Sequence, residues 1–423
     1  VAPAGSPRSA SAASATASPT TGSKARAAGA SPGSAQTGAA DGARYLVGQL
    51  VDGDHLASPF GPDYGLTADL ALALAAAGGQ DGTLAKVVGY LRAHVADYAD
   101  PAGTGQYPGP YSGAVGKLAL LAEVTGQDPA SFGGFDLLST LTGHVCTAAD
   151  QAGACTAPGD FYQSFSTVSQ SLAVLALARA GVSPPAAAVS RLESLQCSGG
   201  GFSSTLITAG ASCTPDPDTT SYALQALTLV PGAGATVTAA AGYLTGAQQA
   251  DGGYLGAAGE NTDSTALAIQ GLLGSGTSPT AGPVTAAQAF LLGLQNGDGG
   301  FGIRASSPAS DVRASAQAVP ALAGATLSTL SDPVVPVTPP SSTPPSSTPP
   351  ASSRPASSTP PASSSPAGTP SATASASVEP ISAQTGSLAA TGASTARPLG
   401  LAVLLVLAGA ALLLLTRLTR QRR

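Results

Sequence analysis

The 423-residue chain has no methionine, no tryptophan, three histidines, four cysteines and charged side chains at only 9% of positions. Each scarcity excludes something. The few His and Cys show no spacing that would ligate zinc, so no metal is expected. Lys and Arg number 17 against 23 Asp and Glu, for a net charge of −6. Four of the cations, Arg417, Arg420, Arg422 and Arg423, crowd into the last seven residues. The acidic remainder has no basic cluster, which excludes a nucleic-acid-binding surface. No Ser-His-Asp or phosphate-loop signature is present, and Asp52 and Asp54 read as solvated charges in a turn. The 10 Tyr and 8 Phe all fall between positions 43 and 325. That is a thin supply for a cavity that stabilises carbocations with ring faces. Neither an initiator Met nor an apolar leader precedes residue 41, so an export signal is expected to have been removed.

What is present begins with the ends. Residues 1–41 are mostly Ala, Ser, Gly, Thr and Pro, and residues 333–387 repeat Pro/Ser/Thr units such as TPPSSTPPSSTPPASS. Neither composition buries enough apolar surface to offset its ordering entropy. The first is expected to be disordered. The second is expected to form an extended stalk, about 3.1 Å per residue in polyproline form. At the C-terminus, Leu388-Ala389-Ala390-Thr391-Gly392 precedes an apolar run at 399–416 and the basic tail 417–423. The run is short for a single transmembrane helix, which needs about 20 residues; Leu418 can extend it while Arg417 snorkels, and the arginines orient it with the C-terminus in the cytoplasm. This order resembles the LAxTG sorting signal of Gram-positive surface proteins. The resemblance implies a sortase that attacks at Thr391 and transfers the chain to peptidoglycan at the cell wall; a plain membrane anchor gives the same topology.

Between the ends, a unit recurs. Arg191-Leu192-Glu193-Ser194-Leu195-Gln196 is followed by Gly199-Gly200-Gly201-Phe202. Tyr243-Leu244 and Gln248 are followed by Asp251-Gly252-Gly253-Tyr254, and Phe290-Leu291-Leu292 and Gln295 by Asp298-Gly299-Gly300-Phe301. Gln49, His94 and His144 occupy the matching place in fainter upstream copies. Six positions spaced 45 to 52 residues apart indicate six helical hairpins over 43–325. One helix of each pair is amphipathic: Val189, Leu192 and Leu195 form its stripe, with Arg191 and Glu193 expected to face solvent. The other, such as 66–77 or 168–180, is apolar nearly all round and expected inside. Gly past a helix end supplies positive φ. The repeat Gln is expected to bond backbone near the next helix. Asp218, Asp263 and Asp311 fall where N-caps of inner helices are expected.

At Leu192/Gln196/Phe202, Leu244/Gln248/Tyr254 and Leu291/Gln295/Phe301 the chain resembles the terpenoid cyclase and protein prenyltransferase superfamily, with Phe and Tyr where that family's repeat has Trp. The resemblance implies an all-α (α/α)6 toroid. Two further implications pull apart. Asp216-Pro217-Asp218-Thr219 resembles the acidic motif of class II terpene cyclases, with Asp216 and Asp218 at its first and middle positions and Thr219 in place of the last. That would make Asp218 a general acid. The cobalamin carriers of the intrinsic-factor kind, secreted and disulfide-stapled, point instead to a non-catalytic module holding a small ligand, such as a corrinoid or an isoprenoid, at the toroid mouth. Inner-helix starts would line that mouth: Asp63, Tyr64, Tyr111, Tyr162, Gln163, Asp218, Tyr222, Asp263 and Asp311. A structural adhesin without a small ligand is the third reading. Four cysteines allow three pairings; neighbour pairing, Cys146 with Cys155 and Cys197 with Cys213, is expected in an exported chain.

Overall fold

The computed structural model of the chain describes residues 31–100, 109–150, 153–257, 259–276 and 281–337. The stalk beyond 337, the sorting motif and the apolar run at 399–416 lie outside them. Among the described residues no helix is long and apolar enough to cross a membrane.

The described residues form thirteen helices and four small antiparallel hairpins. Helix α1 is Pro32–Val47, followed by strands β1 (Ala57–Ser58) and β2 (Gly61–Pro62) and helices α2 (Tyr64–Ala77), α3 (Asp81–Ala93) and the short α4 (Val95–Ala99). Next come α5 (Ser112–Val124), α6 (Leu137–Gly143), α7 (Thr167–Arg179) and α8 (Ala186–Glu193). Strands β3 (Phe202–Ser203) and β4 (Pro215–Asp216) lead to α9 (Pro217–Thr228) and α10 (Gly234–Ala247). Strands β5 (Tyr254–Gly256) and β6 (Gly259–Asn261) lead to α11 (Thr262–Gly274) and α12 (Ala281–Leu292). Strands β7 (Phe301–Arg304) and β8 (Ser307–Asp311) lead to the last helix, α13 (Val312–Ala323).

Helices α2, α5, α7, α9, α11 and α13 each pack on the next, and α13 closes on α2. They are the inner ring. Their sequences explain the position: α2 (YGLTADLALALAAA) and α7 (TVSQSLAVLALAR) leave no residue exposed, so neither has a face for water. Helices α1, α3, α6, α8, α10 and α12 form the outer ring, each burying a stripe. Small residues let inner helices meet closely. A Cβ on Gly116 of α5 would lie 2.9 Å from the Ala173 backbone nitrogen of α7.

One latch is repeated around the second half of the ring. Gln196 Nε2 donates to Gly200 O (2.8 Å) and to Thr236 O of the next outer helix (2.9 Å). Gln248 does the same to Gly252 O and Pro283 O, and Gln295 to Gly299 O and Gly38 O. The last pair ties the sixth hairpin to α1 and closes the circle. The intervening glycines, at φ of +89°, +98° and +89°, rest on the backbone of that same outer helix; a Cβ on Gly200 would fall 2.4 Å from Ala239 O. The aromatic N–H after each turn is taken by an inner-helix hydroxyl: Phe202 by Thr220, Tyr254 by Thr265, Phe301 by Ser315.

Three expectations are corrected here. Helix α1 begins at Pro32, inside the stretch read as disordered to 41, because Ala35, Gly38, Ala39 and Ala43 have an apolar ring to pack on. Arg191 does not face solvent: it is 7% exposed, and its Nε donates to Asp160 at 2.7 Å and its Nη1 to Ile207 O at 2.8 Å. His144 is not the latch of the third hairpin. Its Nδ1 meets Thr140 O, and Gln170, from the first turn of α7, bonds Gly159 O and Ala188 O and accepts from Phe161 N.

Both disulfides join sequence neighbours, Cys146–Cys155 and Cys197–Cys213. They staple loops at the end where the inner helices begin, and they fit an oxidising compartment. The opposite end carries a strap. After α13 the chain runs under the ring: Leu327 N donates to Gln225 Oε1, Arg179 donates to Leu327 O and Leu330 O, and Asp332, Val334 and Val337 donate to Val124 O, Thr125 O and Ala85 O. Residues 333–337, read as the start of the stalk, therefore belong to the folded body.

Candidate functional site: the charged mouth of the ring

All six inner helices begin at the same end, so their partial positive N-termini converge there. Acidic and hydroxyl caps answer them. Asp63 accepts from Leu66 N, Ser166 from Ser169 N, Asp216 from Thr219 N, Asn261 from Ser264 N and Asp311 from Ala314 N. The caps of α9 and α11 are thus Asp216 and Asn261, not Asp218 and Asp263 as expected. The cap needs extended backbone and a side chain three residues before the bonded N–H, a register that fits 216, 261 and 311.

This shift frees Asp218 and Asp263. Both lie two residues past their caps, in the first helical turn, and Arg313 holds the same place in α13. The corresponding residues of α2, α5 and α7 are Gly65, Gly113 and Val168. Three adjacent corners of the ring therefore carry Asp, Asp and Arg, and the other three carry nothing ionisable.

Asp218 is 2% exposed and Asp263 1%. One oxygen of each, Oδ1, is buried without a hydrogen-bond partner. Ser264 bonds the Asp218 carboxyl, but burial and the neighbouring charge of Asp216 raise it to about 8. Burial, then the charge of Asp311, raises Asp263 to about 7, against the pull of Arg313. Asp69 and Lys117, single charges in apolar helices, make an ion pair of 2.8 Å with both side chains buried. Asp69 Oδ2 is also left without a partner, and burial raises this carboxyl despite Lys117. Tyr222 reaches from α9 across the ring to bond Gln317 of α13. Desolvation lifts its phenol well above the ordinary range, reinforced by Asp69 and Asp218. Tyr98 is raised by burial, then by Asp69 and Asp63, against the pull of Arg313.

The expected site residues thus divide. Asp63, Tyr64, Asp218, Tyr222, Asp263 and Asp311 share the mouth, Tyr64 packing on Tyr98 with ring centroids 6.2 Å apart. Tyr111, Tyr162 and Gln163 belong to the wall beneath the first disulfide loop. Tyr111 packs near Phe165, Tyr162 O accepts from Ser112, and Gln163, in left-handed backbone at φ +54°, donates to Gly109 O. Sequence reasoning missed Asp69, Tyr98, Lys117, Arg313 and Gln317. The available signal was a lone charge inside an all-apolar helix for Asp69 and Lys117. For Arg313 it was the register two residues past a cap.

No known family matches the sequence, and no curated protein matches it. Solved structures do resemble the fold. One is a protein from Actinoplanes, at 17% identity and a TM-score of 0.51, covering 69% of this chain and 99% of that one. Another is a variant of the type II terpene cyclase MstE from Scytonema in complex with merosterolic acid A, at 14% identity and 0.51, covering 69% and 97%. A second MstE variant, in complex with geranylgeranyl dihydroxybenzoate, matches at 15% and 0.50, covering 69% and 97%. The chain has the α/α-toroid fold of the terpene cyclases. At these identities the likeness extends to the fold alone.

Proposed function

We propose that this chain is an exported, non-catalytic binding module, with its ligand seated on the charged mouth of the toroid. The observation that carries the reading is that three of the five buried carboxyl oxygens without a partner among the described residues, those of Asp69, Asp218 and Asp263, gather at the mouth, the other two being Glu123 Oε1 and Asp332 Oδ2 near the strap. Each such group costs about 1–3 kcal/mol, and a ligand that bonds them would recover it. The stalk and the LAATG signal would present the module from the cell wall, through sortase and peptidoglycan, or from the membrane. Native mass spectrometry of the disulfide-intact chain exposed to cell extract tests this. A retained small molecule, lost in Asp218→Asn with Asp263→Asn, is the expected result. A mass without any adduct, from extracts of several growth conditions, contradicts it.

A second reading rests on Asp218 itself. It is not the cap, burial and the charge of Asp216 raise its carboxyl to about 8, and one oxygen is unoccupied. Those are properties of a general acid. Against it stands the raised pKa, which makes a weak acid toward an alkene. Incubation with geranylgeranyl substrates would decide: cyclised products that vanish in Asp218→Asn would establish catalysis.

A further inference from the structure

Arg313 is out of place by the rule that governs its neighbours. The first turn of a helix favours acids and disfavours cations, by about 0.3–1 kcal/mol. Asp218 and Asp263 obey the rule; Arg313, at the equivalent position of α13, does not. The guanidinium is half-buried. Among the described residues no carboxylate lies within 4 Å of it and it makes no hydrogen bond. Yet its charge is felt by Asp69, Asp263, Tyr98 and Tyr222. The mouth therefore holds a cation and a group of unpartnered carboxyl oxygens that attract one another without touching. Lys117 does not fill the gap, because Asp69 Oδ1 and Gly65 O already engage it.

A group with only one sign of charge would satisfy one side of this arrangement and leave the other unpartnered. A ligand bearing both would satisfy both. On the reading that the mouth is a binding site, we infer that it takes a small zwitterion of the α-amino-acid kind. The ligand carboxylate pairs with the Arg313 guanidinium, whose planar fork matches it, and the ligand ammonium donates to the free oxygens of Asp263 and Asp218.

The test uses the exported, disulfide-intact chain and titration calorimetry. The probes are the free protein amino acids one at a time, with the methyl ester and N-acetyl form of any that binds. The ester lacks the carboxylate; the N-acetyl form lacks the ammonium. The expected result is at least one amino acid that binds, with both blocked forms weaker by tenfold or more. Arg313→Gln should erase the difference between acid and ester, and Asp263→Asn the difference between amine and N-acetyl form. Melting curves without ligand check that both variants fold. Esters that bind as well as acids overturn the zwitterion while leaving the mouth as a binding site. So does recovery from cell extract of a mouth-bound ligand with one charge sign or none. If neither the amino acids nor anything in the extract binds, both readings fall.

Discussion

The two halves of the ring solve the same packing problem differently. From α8 onward each hairpin uses one glutamine at the end of the outer helix, one positive-φ glycine and one buried aromatic, in the same register three times. The first half has no such uniformity. Gln49 turns back to Tyr45 O, His94 pairs with Asp97, and His144 meets Thr140 O. There the latch is improvised from the inner side by Gln170, which does the work of both the repeat glutamine and the repeat hydroxyl. The polar groups also separate. The first half holds the ion pair Asp69–Lys117 and the stacked rings of His55 and Tyr90, with His94 tilted against Tyr90. The second half holds the unpaired Asp218, Asp263 and Arg313. In the first half each of the buried carboxylates Asp69 and Glu123 keeps one oxygen on a cation, Lys117 and Arg179, and only the second oxygen is left over; in the second half Asp218, Asp263 and Arg313 make no ion pair among the described residues, which is why the proposed ligand site is placed on the second half's edge.

The sharpest way to break this contrast is to remove one cation from each half. Lys117→Met should strand Asp69 in the interior and cost about 3–5 kcal/mol in denaturant melts. Arg313→Met, which breaks no contact, should stay within about 0.5 kcal/mol. Similar losses from both would mean that Arg313 has a structural role. The latches give the next largest difference. Gln170→Ala leaves the Phe161 N–H and two carbonyls unpaired in the interior and should cost about 3 kcal/mol. Gln248→Ala removes two bonds at a half-buried turn and should cost about 1 kcal/mol. The smallest effect concerns the strap, which crosses beneath the first half. A Cβ on Gly89 would collide with Val337 O. Gly89→Leu should therefore raise amide exchange at 332–337 while leaving global stability nearly unchanged; no change in exchange would show that the strap is not held there.

The repeat made the fold legible. Six positions spaced near 50 residues apart, one amphipathic and one apolar helix per hairpin, and glycine past the turn were enough to count the ring and order its layers, because each is a local consequence of periodicity. The site was legible only in outline. Asp218, Asp263, Tyr222 and Asp63 were named, but Asp218 and Asp263 were read as caps, because Asp at a helix start is ordinarily one. Asn261 and Asp216 hold those places, and a two-residue shift in register turns a cap into an unpartnered acid. Arg191 was misread for the related reason that its partner, Asp160, lies 31 residues away. The union of Asp69, Lys117, Arg313 and Gln317 is a property of ring closure and has no local signature.

The central claim is that Asp218 and Asp263 are retained at a cost to the fold. In the folded protein their carboxyls are raised to about 8 and about 7, from about 3.9 in an unfolded chain. The folded state therefore holds protons that the unfolded state releases, and stability should fall as pH rises from about 4 to about 8. The direct measurement is the melting temperature of the wild type and of the Asp218→Asn, Asp263→Asn double variant at pH 8 and pH 5. The account predicts that the variant melts higher at pH 8 and that the gap shrinks or closes at pH 5. A variant that melts lower at both would show these carboxyls to be structural and would contradict the account.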